Sequence, residues 1–303
     1  MTVLLFCRSR ERINRTLHTV TKNELPALKN WLEQFLPDSF MLYGTVRETL
    51  QGRWSASTYL TLGWPEILAA GEGEADPASP CQPYLSDPRS TSVFSPHSQH
   101  LEELLLWPGY LDWSRPIDFR AVGNKMTPTY QKVARAKGGN TRVLHYLLFG
   151  ANKAQISPLP VPEDLKLSHL DPDLHTDYVV SNWPHSRENT HVYIRELLQH
   201  LPNVGLFDRA GECIGFVLGK EHGAIGMAHV RKPYRGRRLA TIMDSHLAQK
   251  YFCDELPVFA LTLKVNKPAM RVLSSSGLKE MSSADWIVYY TGDEGESRIK
   301  IGR

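Results

Sequence analysis

The segment 223–240 constrains the fold of this chain more than any other stretch. It reads Gly-Ala-Ile-Gly-Met-Ala-His-Val-Arg-Lys-Pro-Tyr-Arg-Gly-Arg-Arg-Leu-Ala. Ile225, Met227, Ala228 and Val230 form a short apolar run, and Pro233, Tyr234 and Gly236 break it. Leu239, Ile242, Met243 and Leu247 then follow at helical spacing, so a strand feeds a helix through a short turn. Such a helix start leaves backbone N–H groups unpaired. Together with the positive end of the helix dipole, they form a site for phosphate or pyrophosphate. Arg231, Lys232, Arg235, Arg237 and Arg238 gather positive charge at the same place, as a polyanionic ligand requires.

A second strand–helix unit lies downstream. Residues 258–265, Val-Phe-Ala-Leu-Thr-Leu-Lys-Val, alternate as a strand does. Asn266 follows as an N-cap, Pro268 sits early in the next helix, and Gly277 ends it. Trp286-Ile287-Val288-Tyr289-Tyr290 supplies a closing strand.

These residues carry a resemblance. Arg235-Gly236-Arg237-Arg238-Leu239-Ala240 resembles the acyl-CoA pyrophosphate motif of the GNAT acyltransferase superfamily, Gln/Arg-x-x-Gly-x-Gly/Ala. Arg235 and Ala240 match its ends, while Arg238 stands where the motif has its central glycine. Asn266-Lys267-Pro268-Ala269, leading to Gly277-Leu278, is similar to the second GNAT signature. A narrower resemblance, to the glycine N-acyltransferase and glycine N-acyltransferase-like family, spans most of the chain. It rests on Leu36-Pro37-Asp38-Ser39-Phe40-Met41-Leu42-Tyr43-Gly44-Thr45-Val46, on Asn182-Trp183 with Arg187-Glu188-Asn189, and on Tyr193-Ile194-Arg195-Glu196-Leu197-Leu198 followed by Leu201-Pro202.

The resemblance implies an α+β chain of two GNAT-like α/β modules, with mixed, largely antiparallel sheets flanked by helices. The C-terminal module carries the acyl-CoA site, in a wedge between 225–230 and 258–265. It implies coenzyme A or acyl-CoA as donor, held by Val230, Arg235, Gly236, Arg237, Arg238, Leu239, Ala240 and Asn266, and a small amino acid, glycine first, as acceptor. The family's catalytic glutamate aligns with Ala224, so that role cannot be carried over. Nearby substitutes are Glu221, His222 and His229. His229 is the first choice because an imidazole titrates near neutral pH. Strand alternation opposes it, since 224 and 229 differ by an odd number, and a bulge within 225–230 is needed to bring His229 to the substrate side. Two other readings stay open. One is a GNAT N-acetyltransferase acting on another amine or a peptide, and the other is a catalytically weak acyl-CoA-binding protein.

Composition narrows the rest. The formal net charge of +3 is too small for a general nucleic-acid binder. No apolar run approaches the roughly 18 residues of a membrane span. Cys7, Cys81, Cys213 and Cys253 share no close spacing, which points away from a metal site or disulfide framework and toward a reducing compartment. A monomer is the expected state. Arg8, Arg10, Arg12 and Arg15 make 1–20 compatible with a mitochondrial targeting segment; otherwise the chain is expected in the cytoplasm.

The expected organisation is an N-terminal extension over 1–20, a degenerate GNAT-like domain over 21–156, a linker over 157–164 containing Pro158, Pro160 and Pro162, the acyltransferase domain over 165–292 and a tail over 293–303. Within the N-terminal half, Leu25, Leu28, Trp31 and Leu32 predict a helix, 41–47 reads as a strand, and the Gly-, Pro- and Ser-dense stretch 71–98 reads as irregular.

Overall fold

The computed structural model describes residues 16–252 and 257–292. The expected targeting segment therefore falls largely outside the described residues, as do Cys7, Cys253 and the tail. The N-terminal half begins with β1 (Leu17–Thr19), α1 (Leu25–Glu33) and α2 (Phe40–Leu50), then β2 (Ser57–Leu62) and β3 (Ala69–Ala75). Next come α3 (Gln82–Ser86), β4 (Arg89–Thr91), β5 (Val93–Phe94), α4 (Ser98–Leu105), β6 (Ile117–Gly123), α5 (Thr127–Ala136) and β7 (Asn140–Ala151). After the proline run, the C-terminal half contains β8 (Leu165–Ser168), α6 (Pro172–Ser181), α7 (Thr190–His200), β9 (Asn203–Asp208), β10 (Cys213–Gly219) and β11 (Ala224–Val230). It closes with α8 (Leu239–Phe252), β12 (Val258–Leu263), α9 (Lys267–Ser275) and β13 (Lys279–Tyr290).

The two halves repeat one plan. In the first, β4 runs parallel to β6 and the chain then leaves as β5 to join β3. In the second, β11 runs parallel to β12 and then diverges. A helix follows each departing strand, α4 in one half and α8 in the other. The halves are also interlocked. One sheet runs β4-β6-β13-β7-β12-β11-β10-β9-β8, so β13 from the C-terminal end lies between two strands of the N-terminal half. The ladder from Lys279↔Gly150 to Tyr290↔Asn140 is its long seam. The proline run divides the sequence, but the sheet continues across that division.

Two expectations from the sequence are corrected. Residues 41–47 belong to α2, not to a strand. Every residue from Phe40 to Glu48 is buried, so the helix is covered all round and shows no amphipathic period. Gly44 is what admits it: a Cβ there would lie 1.9 Å from the His222 carbonyl oxygen. Arg47 then clamps α2 to the other half, donating from Nη2 to the Gly223 carbonyl at 3.2 Å and from Nη1 to that of Pro257 at 3.2 Å. The stretch 71–98 is ordered into β3, α3, β4 and β5. Some of its polar groups are buried and paired: the Glu72 carboxylate accepts from the Ser92 amide at 2.7 Å and bonds Arg120.

Candidate active site

β11 and β12 pair in parallel at only two positions, Ala224↔Phe259 and Ile225↔Ala260. Beyond them the strands part, as expected between 225–230 and 258–265. β10 follows β11 on its other side with a register shift: Leu218 faces Gly226, and Phe216 faces His229. Two residues of β10 thus span three of β11. The extra residue sits at Met227, whose φ of 56° is left-handed.

This bulge sets the chemistry of the face. Without it, Ala224 and His229 would point to opposite sides. With it, both share the side of Phe216 and Leu218. Ala224 packs with Phe40 and Phe259, while the His229 ring stacks on Phe216 with centroids 5.5 Å apart and lies 6.2 Å from Tyr178. Gly226, on the same face, has open space where a Cβ would stand. His229 is half-buried, and its ring has no hydrogen-bond partner among the described residues. Burial first, then Arg235 and Arg231, holds its pKa below the usual histidine value.

At the end of β11 the chain forms a turn of 3-10 helix, Lys232–Tyr234, and enters α8 at Leu239. The first helical bond recorded is Ile242 N–H to the Arg238 carbonyl at 3.1 Å. The amides from 236 to 241 have no acceptor among the described residues, so they form a cradle of unpaired donors. Arg237 is held by Asp164 at 2.8 Å, and Arg231 lies 3.6 Å from Glu212. Arg235 turns its Nε back to the Val230 carbonyl at 2.8 Å. Lys232 and Arg238 make no ion pair among the described residues. Arg238, in the motif's glycine position, takes the left-handed φ of 59° that glycine would supply. Asn266 caps α9: its Oδ1 accepts from the Ala269 amide at 3.1 Å.

The two other base candidates are buried. Glu221, 4 % exposed, accepts from Arg120 Nη1 at 2.7 Å and from the Tyr193 hydroxyl at 2.6 Å. Burial alone would raise its pKa, but Lys220, His222 and Arg120 outweigh it and lower the value to about 2. Buried His222 has its pKa pushed down to about 3 by desolvation.

Sequence reasoning missed Lys220. Its Nζ lies 4.9 Å over the Tyr193 ring, 5.2 Å over Trp183 and 3.7 Å from the Met227 sulfur. It forms no ion pair with a carboxylate among the described residues, and burial lowers its pKa. The ammonium stands beside the bulge with aromatic walls, and the charge of Glu221 partly offsets its burial. Only the turn between β10 and β11 brings it there, so no local pattern marks it.

No family model matches the chain. It is 22 % identical over 269 residues to the glycine N-phenylacetyltransferase of Bos taurus, covering 82 % of this chain and 90 % of that one. Over 300 residues it is 22 % identical to a glycine N-acyltransferase-like protein of Mus musculus, covering 90 % and 98 %. A Drosophila crystal structure superposes with a TM-score of 0.76 at 14 % identity, over 90 % of this chain and 98 % of that one. The tandem GNAT protein from the clavulanic acid biosynthesis pathway gives 0.50 at 14 % identity, over 90 % and 97 %. A GCN5-related N-acetyltransferase from Sphaerobacter thermophilus gives 0.52 at 12 %, over 90 % and 94 %. With its two repeated halves, parting strands and cradle of amides, the chain has the GNAT fold and is similar over most of its length to the glycine N-acyltransferases and their glycine N-acyltransferase-like relatives.

Proposed function

We propose that the chain is an acyl-CoA-dependent N-acyltransferase whose acceptor is a small amino acid, glycine first. One observation carries this reading: β11 and β12 part at a bulge, and β11 then runs into a cationic loop with six unpaired amides. Such a loop suits the pyrophosphate of coenzyme A, and the gap between the strands suits its slender arm. His229 accepts the proton from the acceptor ammonium or from the attacking amine. The amine nitrogen bonds the thioester carbonyl carbon, the C–S bond breaks, and the thiolate leaves as CoA after taking up a proton. Lys220 supports an amino acid over a plain amine, because its ammonium, in no direct ion pair among the described residues, offers a partner to the acceptor carboxylate.

The buried Ala224 favours a second reading, a catalytically weak acyl-CoA-binding protein, since no carboxylate stands at that position. Turnover of purified full-length chain decides between them. Free CoA thiol is followed with a panel of acyl-CoAs and with glycine, methylamine or a peptide amine as acceptor. Release that requires glycine supports the first reading; binding without release supports the second. Release with methylamine equal to that with glycine removes the carboxylate requirement.

A further inference from the structure

α3 of the N-terminal half packs on α7 of the C-terminal half, and one buried ring from each makes the contact. Tyr84 and Tyr193 stack with centroids 4.2 Å apart and planes 8° from parallel. Arg187, in the loop before α7, fixes Tyr84 in two ways. Its guanidinium lies 4.2 Å over the ring, and it donates from Nη2 to the Tyr84 carbonyl at 2.7 Å and from Nη1 to that of Asp87 at 3.1 Å. Tyr193 is fixed in turn. Trp54 of the N-terminal half meets it edge-on at 6.4 Å, and its hydroxyl donates to Glu221 at 2.6 Å.

The row of contacts ends at Lys220. The ammonium has no direct ion pair among the described residues, and its nearest walls are the Tyr193 ring at 4.9 Å and the Trp183 ring at 5.2 Å. A cation–π contact holds only within about 6 Å of the centroid, so the ammonium stays where the Tyr193 ring is held. Arg187, Tyr84, Tyr193 and Lys220 therefore adjoin in that order across the boundary between the halves.

We propose that Tyr84 is a positioning residue for the acceptor. By holding the Tyr193 ring it sets where Lys220 presents its ammonium, and the N-terminal half thereby takes part in acceptor choice. This rests on the reading of Lys220 as partner to the acceptor carboxylate. The acyl-CoA loop at the start of α8 is a separate element, so the effect falls on the acceptor and not on the donor.

Steady-state kinetics of the full chain with glycine and with methylamine, using the acyl-CoA that turns over fastest, tests this. Tyr84→Leu keeps apolar bulk but removes the stack. It is expected to raise KM for glycine about three- to tenfold, the range an aromatic pair spans, and to leave KM for methylamine and for acyl-CoA unchanged. Tyr84→Phe keeps the stack and is expected to recover the wild-type constant. Arg187→Gln, at a half-buried position, frees Tyr84 without touching the ring pair and gives the same test should Tyr84→Leu not fold. Lys220→Met is the reference. A glycine KM raised in Lys220→Met but unchanged in Tyr84→Leu and Arg187→Gln overturns this inference alone. A glycine KM unchanged in Lys220→Met, or no glycine turnover in the wild type, overturns the reading of Lys220 and this inference with it. An equal rise for glycine and methylamine in Tyr84→Leu also overturns it, because that marks a general distortion of the site.

Discussion

Phe216 and His229 face one another across β10 and β11 with their rings nearly parallel, 21° apart, because one extra residue is accommodated at Met227. This contact turns His229 onto the side of the sheet where Gly226 leaves open space. In the proposed reaction, removing the imidazole should therefore affect the chemical step and not the cationic loop. His229→Ala is expected to lower turnover by about 10²–10⁴-fold with acyl-CoA affinity unchanged. Because the pKa of His229 lies below 6.5, the neutral base persists through neutral pH, and the acid limb of the rate profile should fall below pH 6.5. Wild-type turnover in the alanine variant would exclude His229 as the base.

Ala224→Glu would place a carboxylate where the glycine N-acyltransferases that the chain resembles have their glutamate, and the structure gives it no partner there. Ala224 is 1 % exposed and packs with Phe40, Leu148 and Phe259, where the parallel pair is still closed. An ionised carboxylate there lacks a partner, and the variant is expected to lose at least about 2 kcal/mol of stability with no gain in glycine acylation. Denaturant titration beside an activity assay checks both. A stable, more active variant would show that this position reaches the acceptor.

Arg238 provides a comparison within the cationic loop. Its left-handed backbone strains any residue with a Cβ, so Arg238→Gly should be more stable than Arg238→Ala by about 1 kcal/mol. Both remove the same charge, so calorimetry with coenzyme A should give similar losses for the two. Equal melting temperatures would mean that the loop relaxes freely.

Glu221 and His222 make stability depend on pH in the same direction. Glu221, lowered to about 2 in the fold, is ionised there while the unfolded chain takes up a proton near 4.5. His222, lowered to about 3, stays neutral in the fold while the unfolded chain protonates near 6.5. In both cases the unfolded state binds more protons, so stability is full above about pH 6.5 and is lost as pH falls toward 3. Glu221→Gln leaves Arg120 without one buried partner and should cost about 3–5 kcal/mol at pH 7. It should also flatten the acid loss below pH 4.5, which urea titrations across pH 3–7 would reveal.

Asn266→Ala separates two roles. If Asn266 serves only as the cap seen at the Ala269 amide, the variant should lose about 1 kcal/mol and keep its Michaelis constant for acyl-CoA. A raised constant at unchanged melting temperature would assign Asn266 to the cofactor.

The sequence by itself determined the elements whose signals are local. A basic glycine turn between an apolar run and a helical period fixed β11, the loop and α8, and Asn266 with Pro268 fixed the start of α9. It could require a bulge for His229 but not locate it, because a bulge is defined by the partner strand's register. It also misassigned α2, since a helix buried on every side loses its period, and it read 71–98 as irregular because buried polar residues such as Glu72 and Arg89 look like solvated ones. Only the tertiary structure decided which charges are free. Glu221 and Lys220 are neighbours in the chain, yet Arg120, 101 residues away, bonds the first while the second lies over aromatic rings with no direct ion pair among the described residues. The same holds for the passage of β13 between β6 and β7, which makes one sheet of two halves. Such pairings depend on contacts between distant segments, and no local pattern encodes them.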